Sequence, residues 1–100
     1  MEILNMEILN FDLFPVDGRK SFYGKAKVVG NKYAGYTLLS YGTPVMWFNG
    51  TDTIIRTWHG YSATTMRHVN SFMRFCGTCL GGKRWWDSLP VETPVKLVSE

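Results

Sequence analysis

Cys76 and Cys79 form a C-x-x-C pair, a spacing that occurs both in zinc sites and in thiol redox enzymes. A redox thiol is usually activated at a helix N-terminus, but the surrounding pattern places Cys76 at a C-terminal end, where the dipole favours the neutral thiol. A zinc site needs two further ligands, and the histidines are limited to His59 and His68. We therefore expect Cys76 to pack as a small apolar residue and Cys79 to lie in a loop, with no metal bound. A zinc or redox module is the weakest alternative.

The two histidines together with Ser62 raise the question of nucleophilic catalysis. A Ser–His pair needs an acidic residue to orient the imidazole, and Asp52 is the single acidic residue between positions 18 and 86. Ser62 also stands where a helix N-cap is expected. The segment Gly81-Gly82-Lys83 lacks the spacing and the Ser or Thr of a phosphate-binding P-loop. The sequence therefore predicts a protein that is not an enzyme and that needs no cofactor.

The net charge of +3 conceals an uneven distribution along the chain. Residues 18–86 contain ten Lys and Arg, whereas residues 1–17 contain four acidic residues and no basic one, and residues 87–100 are also acidic overall. Thirteen of the fifteen aromatic residues lie within 18–86 as well. A basic and aromatic middle favours an anionic partner, either nucleic acid or an acidic protein patch. In the alternative, the acidic ends fold back and neutralise the middle.

The candidate binding residues all lie in this basic middle. Arg67 and Arg74 are two helical turns apart on a polar face, and Lys25 and Lys27 share one face of a strand, so the four form a basic strip if those faces adjoin. In the run from 83 to 86, two tryptophans follow two basic residues, an arrangement that stacks on nucleobases or anchors a protein interface. In the alternative, one Trp closes the core and the other lies on the surface. The eight candidates are Lys25, Lys27, Arg67, Arg74, Lys83, Arg84, Trp85 and Trp86.

One amphipathic helix is predicted over residues 62–76, with Ser62 as its N-cap and Gly77 as the residue that ends it. At about 100° per residue, an apolar arc faces a polar arc, as in a helix that packs on a sheet. The apolar arc comprises Met66, Val69, Phe72, Met73 and Cys76, and the polar arc comprises Arg67, Asn70, Ser71 and Arg74. Thr64 and Thr65 open the helix, where their hydroxyls either hold an anion such as phosphate or are ordinary first-turn groups.

The segment before the helix consists of strand-like runs separated by turns. A short edge strand around Phe11 and Leu13 ends at Pro15. The runs that follow are 21–29, 36–41, 45–48 and 53–59, with a turn or bulge at 42–44 and a hairpin signal at Asn49-Gly50. This order predicts one α+β domain over 1–100: an antiparallel meander of four to five strands within 11–60, packed by one helix. Residues 78–100 form a tail with a short strand near 95–98, and residues 1–10 are candidates for disorder.

Three segments, in this order, resemble one protein family: Lys20-Ser-Phe-Tyr-Gly-Lys-Ala26, Leu39-Ser-Tyr-Gly-Thr-Pro-Val45, and Trp58-His-Gly-Tyr-Ser-Ala-Thr-Thr-Met-Arg-His-Val-Asn-Ser-Phe72. The family consists of small uncharacterised proteins of bacteriophages and mobile elements, frequent in gut bacteria, and the resemblance spans residues 20–77. Gly42 and Pro44 depart from its pattern. The resemblance implies no activity and no catalytic residues. It implies a phage-like setting, in which small single-domain proteins often inhibit host defences by binding.

Two functional hypotheses follow. The first is a non-enzymatic phage-type binding protein, an inhibitor of a host defence of the anti-CRISPR type, which occupies the surface of a host protein or ribonucleoprotein. The second is a sequence-independent nucleic-acid-binding protein, in which Lys and Arg neutralise RNA or DNA phosphates and aromatic rings stack on bases. No apolar run approaches the roughly 20 residues of a membrane span, and the first residues lack the regions of a secretory signal. We therefore expect a cytoplasmic protein of the bacterial host cell with no membrane partner.

Overall fold

A computed structural model describes residues 8–15 and 22–97, and within these ranges the strands form one antiparallel sheet in chain order. The strands are β1 Leu9–Asp12, β2 Ala26–Asn31, β3 Gly35–Ser40, β4 Thr43–Phe48, β5 Thr53–Arg56 and β6 Val95–Lys96. The helices are α1 Ala63–Phe75 and α2 Lys83–Ser88. The predicted α+β meander packed by one main helix is confirmed, with six described strands in place of four to five. The predictions for residues 1–7 and for the turn at 16–19 lie outside the described residues.

The core lies between the sheet and helix α1. Every second side chain of the central strands points into the core, because successive side chains in a strand point to opposite faces of the sheet. The inward side chains meet the apolar arc of α1, where Met73 is completely buried. The predicted arc is confirmed for four residues, Met66, Val69, Phe72 and Met73, while Cys76 is half-buried. The predicted polar arc is wrong at Ser71, because this residue is buried, with 3% of its surface exposed.

Both ends of α1 are closed by the predicted residues. The Ser62 side chain accepts a hydrogen bond from the Thr65 amide at 3.0 Å. At the other end, Gly77 has a φ of 87°, the Gly77 amide donates to the Arg74 carbonyl, and the Thr78 amide donates to the Met73 carbonyl. These two bonds form a Schellman motif, which requires the left-handed backbone that glycine adopts without strain. The amphipathic segment therefore folds as a helix of defined length.

Two connections between strands refine the predicted turns. Between β3 and β4 the chain makes a two-residue turn and also a register shift at Leu38/Leu39, so a turn and a bulge both occur in this region. Between β4 and β5 the Asn49 side-chain oxygen accepts from the backbone amides of Thr51, Asp52 and Thr53 at 2.8–3.1 Å. The Asn49-Gly50 signal therefore marks a longer loop organised by one side chain, not a two-residue hairpin.

The C-terminal segment is more ordered than the predicted tail. The short strand is confirmed at Val95–Lys96, and helix α2 precedes it. Arg56, which is buried at the end of β5, donates from Nη1 to the Trp86 carbonyl at 2.7 Å and from Nε to the Trp58 carbonyl at 2.9 Å. The Trp86 indole nitrogen donates to the Gly60 carbonyl at 3.0 Å. These bonds fix α2 and the loop before α1 onto the sheet. No helix in residues 8–15 and 22–97 has the length and apolar character needed to cross a membrane.

Candidate binding surface

Two Tyr-Gly turns lie side by side at one end of the sheet. Tyr23 and Gly24 have φ values of 54° and 73°, and Tyr41 and Gly42 have φ values of 53° and 79°. Positive φ at both central residues is the signature of a type I′ turn, in which Asn-Gly or Gly-Gly is the usual pair. The two turns are joined directly, because the Tyr41 amide donates to the Lys25 carbonyl at 2.8 Å. A bulky residue in the left-handed region is an outlier, and each such residue costs roughly 1–3 kcal/mol.

The two tyrosine rings are exposed although the backbone beneath them is strained. Tyr23 is 71% exposed and Tyr41 is 58% exposed, and the exposed Lys25 lies between the two turns. Tyr61, in the loop before α1, adds a third exposed ring beside Tyr41. The tyrosine face, as we name this surface, comprises Tyr23, Lys25, Tyr41, Tyr61, Thr64 and Arg67.

A buried polar chain lies under the tyrosine face. The Ser40 hydroxyl is 3.0 Å from the Thr65 hydroxyl and 2.8 Å from Nδ1 of His68. The His68 ring is 1% exposed, packed edge-on against Phe22 at 4.5 Å and beside Tyr41 at 5.6 Å. Burial lowers the pKa of His68 to about 4, and the neighbouring charge of Arg67 acts in the same direction. His68 is therefore a neutral hydrogen-bonding group at physiological pH.

The serine that contacts a histidine is Ser40 and not Ser62, the serine that the sequence suggested. His68 is bonded to Ser40, whereas Ser62 caps helix α1 and His59 is paired with Glu92 at the surface. None of the described acidic side chains orients the His68 imidazole. Among the described residues, the Ser40–His68 pair therefore lacks the carboxylate of a Ser-His-Asp triad.

Two clefts at the tyrosine face share Tyr41 as a lining residue. The first, which we name the cationic cleft, has a volume of about 270 Å³. It is lined by Phe22, Tyr23, Lys25, Tyr41, Thr64, Arg67 and His68. The second, the hydroxyl cleft, has a volume of about 240 Å³. It is lined by Ser40, Tyr41, Thr43, Val45, Trp58, Tyr61, Ser62 and Thr65.

The predicted basic strip is assembled only in part. Lys25 and Arg67 both line the cationic cleft, but Lys25 lies in the turn before β2 and not on a strand face as predicted. Lys27 lines a neighbouring cleft with Lys25 and Tyr41, and its ammonium forms an ion pair with Asp12 at 2.7 Å. Arg74 lies at the far end of α1, where it donates to the Thr78 carbonyl at 3.0 Å. Arg74 therefore contributes to the helix C-terminus and not to the cleft.

The run from Lys83 to Trp86 does not act as a single surface unit. Trp86 is 1% exposed and belongs to the core, which rules out stacking of its ring on a partner. Trp85 is half-buried and packs against the core cluster. Lys83 pairs with Asp87 at 2.7 Å and lies 5.1 Å from the centre of the Tyr61 ring, while Arg84 is exposed. The alternative, in which one tryptophan closes the core, is the arrangement found.

The thiol of Cys76 is not activated. Burial raises the pKa of Cys76 to about 12, so its thiol stays protonated, and Cys79 is exposed beyond the helix end. Both are free. Within residues 8–15 and 22–97, no group of three or more His, Cys, Asp or Glu side chains is arranged to hold a metal ion.

The fold and this surface define a small α+β protein, a meander covered by one helix, with aromatic and basic side chains gathered at one end of the sheet. The chain belongs to the Family of unknown function (DUF8033), whose family model matches residues 11–88. The match includes both Tyr-Gly turns and both helices. Comparison with curated proteins and comparison with solved structures gave no match.

Proposed function

We propose that this chain is a non-enzymatic binding protein and that the tyrosine face is its contact surface. The observation that supports this proposal is the left-handed backbone of Tyr23 and Tyr41 beneath exposed rings. A turn that only connects two strands is most stable with Asn or Gly at such a position. A strained residue whose side chain adds little to the core indicates selection for what the side chain does at the surface.

A protein with an acidic patch is the partner that fits this face best. Tyrosine provides a large, partly polar contact area with few rotatable bonds, and rings held on tight turns are already ordered before binding. Lys25 adds positive charge beside the rings, while the charge of Lys27 is offset by Asp12. The surface thus offers several aromatic contacts and a small local charge, as a compact protein epitope requires.

The proposal includes the setting implied by the sequence resemblance. A small protein carried by a bacteriophage or mobile element acts in the cytoplasm of the bacterial host, and we propose that this one inhibits a host defence system of the anti-CRISPR type by occupying a protein or ribonucleoprotein. The support is the resemblance of residues 20–77 together with the exposed tyrosine face. The absence of enzymatic activity is supported by the buried, neutral Ser40–His68 pair and by the protonated thiol of Cys76.

Affinity capture with a matched pair of variants tests this proposal. The test variant is Tyr23→Asn/Tyr41→Asn, which keeps a residue suited to the left-handed turn but removes both rings. The control is Lys32→Ala/Tyr33→Asn, since Lys32 and Tyr33 form an exposed Lys–Tyr pair in the turn at the opposite end of β2. From nuclease-treated host extract, we expect the original chain and the control to retain one dominant protein that the test variant loses. The proposal would be contradicted if all three chains retained the same protein. It would also be contradicted if the original chain captured only nucleic acid from untreated extract.

A further inference from the structure

Strand β1 forms one edge of the sheet, and part of its backbone points away from the sheet. Among the described strands, β1 is paired with β2 alone. The Leu13 amide donates to the Ala26 carbonyl at 2.8 Å, so the backbone groups of the odd-numbered residues of this segment point to β2. The amides and carbonyls of Asn10 and Asp12 therefore point to the outer edge. A row of this kind is a template on which another strand can pair.

The outer edge carries exposed apolar side chains at both of its ends. Ile8 and Leu9 lie at one end and Phe14 at the other, and all three are exposed, Phe14 most of all at 69%. Charged side chains usually protect an edge strand from pairing with other chains. Residues 8–14 contain one charged side chain, that of Asp12, and its charge is offset by Lys27 at 2.7 Å. The edge therefore lacks this protection, and a second strand would cover its apolar ends.

Pairing of β1 with β1 of a second copy about Phe11 would continue the core from one copy to the other. A two-fold axis at this position, perpendicular to the sheet, sets residues at equal distances from Phe11 opposite each other in an antiparallel pair. On the helix side of the sheet, Phe11 then meets Phe11 of the second copy, and Leu9 meets Leu13. The Phe11 ring already lies 5.5 Å from the exposed ring of Phe75 in α1. The pairing therefore joins the aromatic clusters of the two copies, and aromatic pairs across strands stabilise a sheet.

On the outer side of the sheet, the same pairing sets polar side chains against polar ones and apolar side chains against apolar ones. Asn10 faces Asp12 of the second copy, and the outward amide and carbonyl of each residue bond to those of the other. The Asn side chain also donates to a carboxylate, so the two side chains are complementary. Ile8 faces Phe14, so exposed apolar side chains cover each other. An axis at Asp12 would instead oppose two carboxylates, and an axis at Asn10 would set Ile8 against Asp12.

We propose that β1 is a dimerisation edge, on which a second copy of this chain pairs antiparallel in the register centred on Phe11. The occupant is a second copy because the two halves of residues 8–14 complement each other, a match that an unrelated strand would have to reproduce. The dimer would join two six-stranded sheets into one continuous sheet, with a tyrosine face on each copy. This goes beyond the proposed function, because the association requires no other partner. A contact along one short strand is small, so we expect a dissociation constant of about 10 μM.

Sedimentation equilibrium of the full chain over a range of concentrations tests this inference. We expect the mass to rise from 11.5 kDa to twice that value as the concentration increases. Asn10→Pro should weaken the dimer by roughly tenfold or more, because it removes an outward amide and no bond to β2. Lys96→Pro is the matched control and should leave the dimer unchanged. The Leu97 amide donates to the Asp52 carbonyl, so the Lys96 amide also points away from the sheet, at the opposite edge.

An exchange of charges tests the register. Asn10→Asp sets two carboxylates opposite each other at both ends of the pairing and should weaken the dimer roughly tenfold. Asn10→Asp/Asp12→Asn restores an amide opposite each carboxylate and should dimerise as the original chain does. The inference would be overturned by a monomeric mass up to about 1 mM, by dimers that Asn10→Pro leaves unchanged, or by a double variant as weak as the single one. Protein capture by the tyrosine face is a separate measurement, so each proposal can fail without the other.

Discussion

The guanidinium carbon of Arg56 lies 4.2 Å from the centre of the Trp86 ring, and Nη1 of the same arginine donates to the Trp86 carbonyl at 2.7 Å. The buried guanidinium of Arg56 thus contacts the face of the Trp86 indole and also bonds to the backbone of α2 through the Trp86 carbonyl. The other guanidinium nitrogens donate to the carbonyls of Trp58 and His59. A planar guanidinium with five N–H donors can bond to more carbonyls at once, and in a more fixed geometry, than an ammonium with three.

Replacement of Arg56 should therefore destabilise the whole C-terminal part of the fold. We expect Arg56→Met to lower the free energy of unfolding by about 3 kcal/mol, since it keeps the bulk but removes the buried bond to the Trp86 carbonyl and the part-buried bonds to the carbonyls of Trp58 and His59. Chemical denaturation measures this difference, and Arg84→Met on the exposed side of α2 is the control, with an expected change within about 0.5 kcal/mol. Equal stability of the two variants would show that the Arg56 bonds do not hold α2.

The main helix and the sheet were predictable because their signals are local and repeated. Ser62, Gly77 and the 3.6-residue spacing of Met66, Val69 and Met73 specify the helix without reference to the rest of the chain. Helix α2 has only six residues, too few turns to show a periodicity, and it lacks a side-chain cap. Its position depends instead on Arg56, which is distant in sequence and resembles any other basic residue of the middle segment.

Only the basic residues of the proposed binding surface could be predicted from the sequence. Lys25 and Arg67 were predicted from their places on a strand face and a helix face. Both line the cationic cleft, although Lys25 lies in the turn before β2. Tyr23 and Tyr41 were missed, although each is followed by glycine, and Tyr41 also ends a strand-like run, which is a turn signal. The left-handed backbone of the tyrosines cannot be deduced from composition. Trp86 was selected for its type, but burial removes it from the surface.

Replacement of the strained Tyr41 should weaken binding without lowering the stability of the fold. Tyr41→Asn replaces a bulky left-handed residue by one that tolerates this backbone, in the two-residue turn between Ser40 and Thr43. We expect the free energy of unfolding to stay unchanged or to rise by up to about 1 kcal/mol, because relief of strain offsets the lost ring contact with His68. Thermal denaturation beside Tyr41→Ala, which lacks the tolerance of Asn for this backbone, measures the effect. A loss above about 1 kcal/mol for Tyr41→Asn would assign the ring a structural role.

The buried imidazole of His68 should make stability depend on pH. Its pKa of about 4 in the fold lies below the usual 6.5, so the unfolded chain takes up the proton first. Stability associated with neutral His68 is therefore fully present above about pH 6.5 and is lost as the pH falls towards 4, at up to about 1.4 kcal/mol per pH unit. Denaturation of the original chain and of His68→Asn at several pH values isolates this contribution, because the carboxylates titrate in both. Parallel pH profiles would contradict it.

The contribution of the tyrosine rings relative to the charges distinguishes a protein partner from a nucleic-acid backbone. Binding along a backbone gives a log–log salt slope of about −0.7 to −0.9 per phosphate, so four contacts would give roughly −3, with each Lys or Arg contributing similarly. A protein epitope instead concentrates the binding energy in a few central side chains. The measurement is therefore the affinity of the captured partner for the original chain, for Tyr23→Asn/Tyr41→Asn and for Lys25→Ala, each at two salt concentrations.

That comparison is the most direct test of the claim that the tyrosine face is the contact surface. We predict that loss of the two rings weakens binding by more than about 2 kcal/mol, or roughly thirtyfold, while salt weakens it by less than tenfold. The Lys32→Ala/Tyr33→Asn control should bind as the original chain does. Binding that falls steeply with salt, and that is the same with and without the rings of Tyr23 and Tyr41, would contradict the claim.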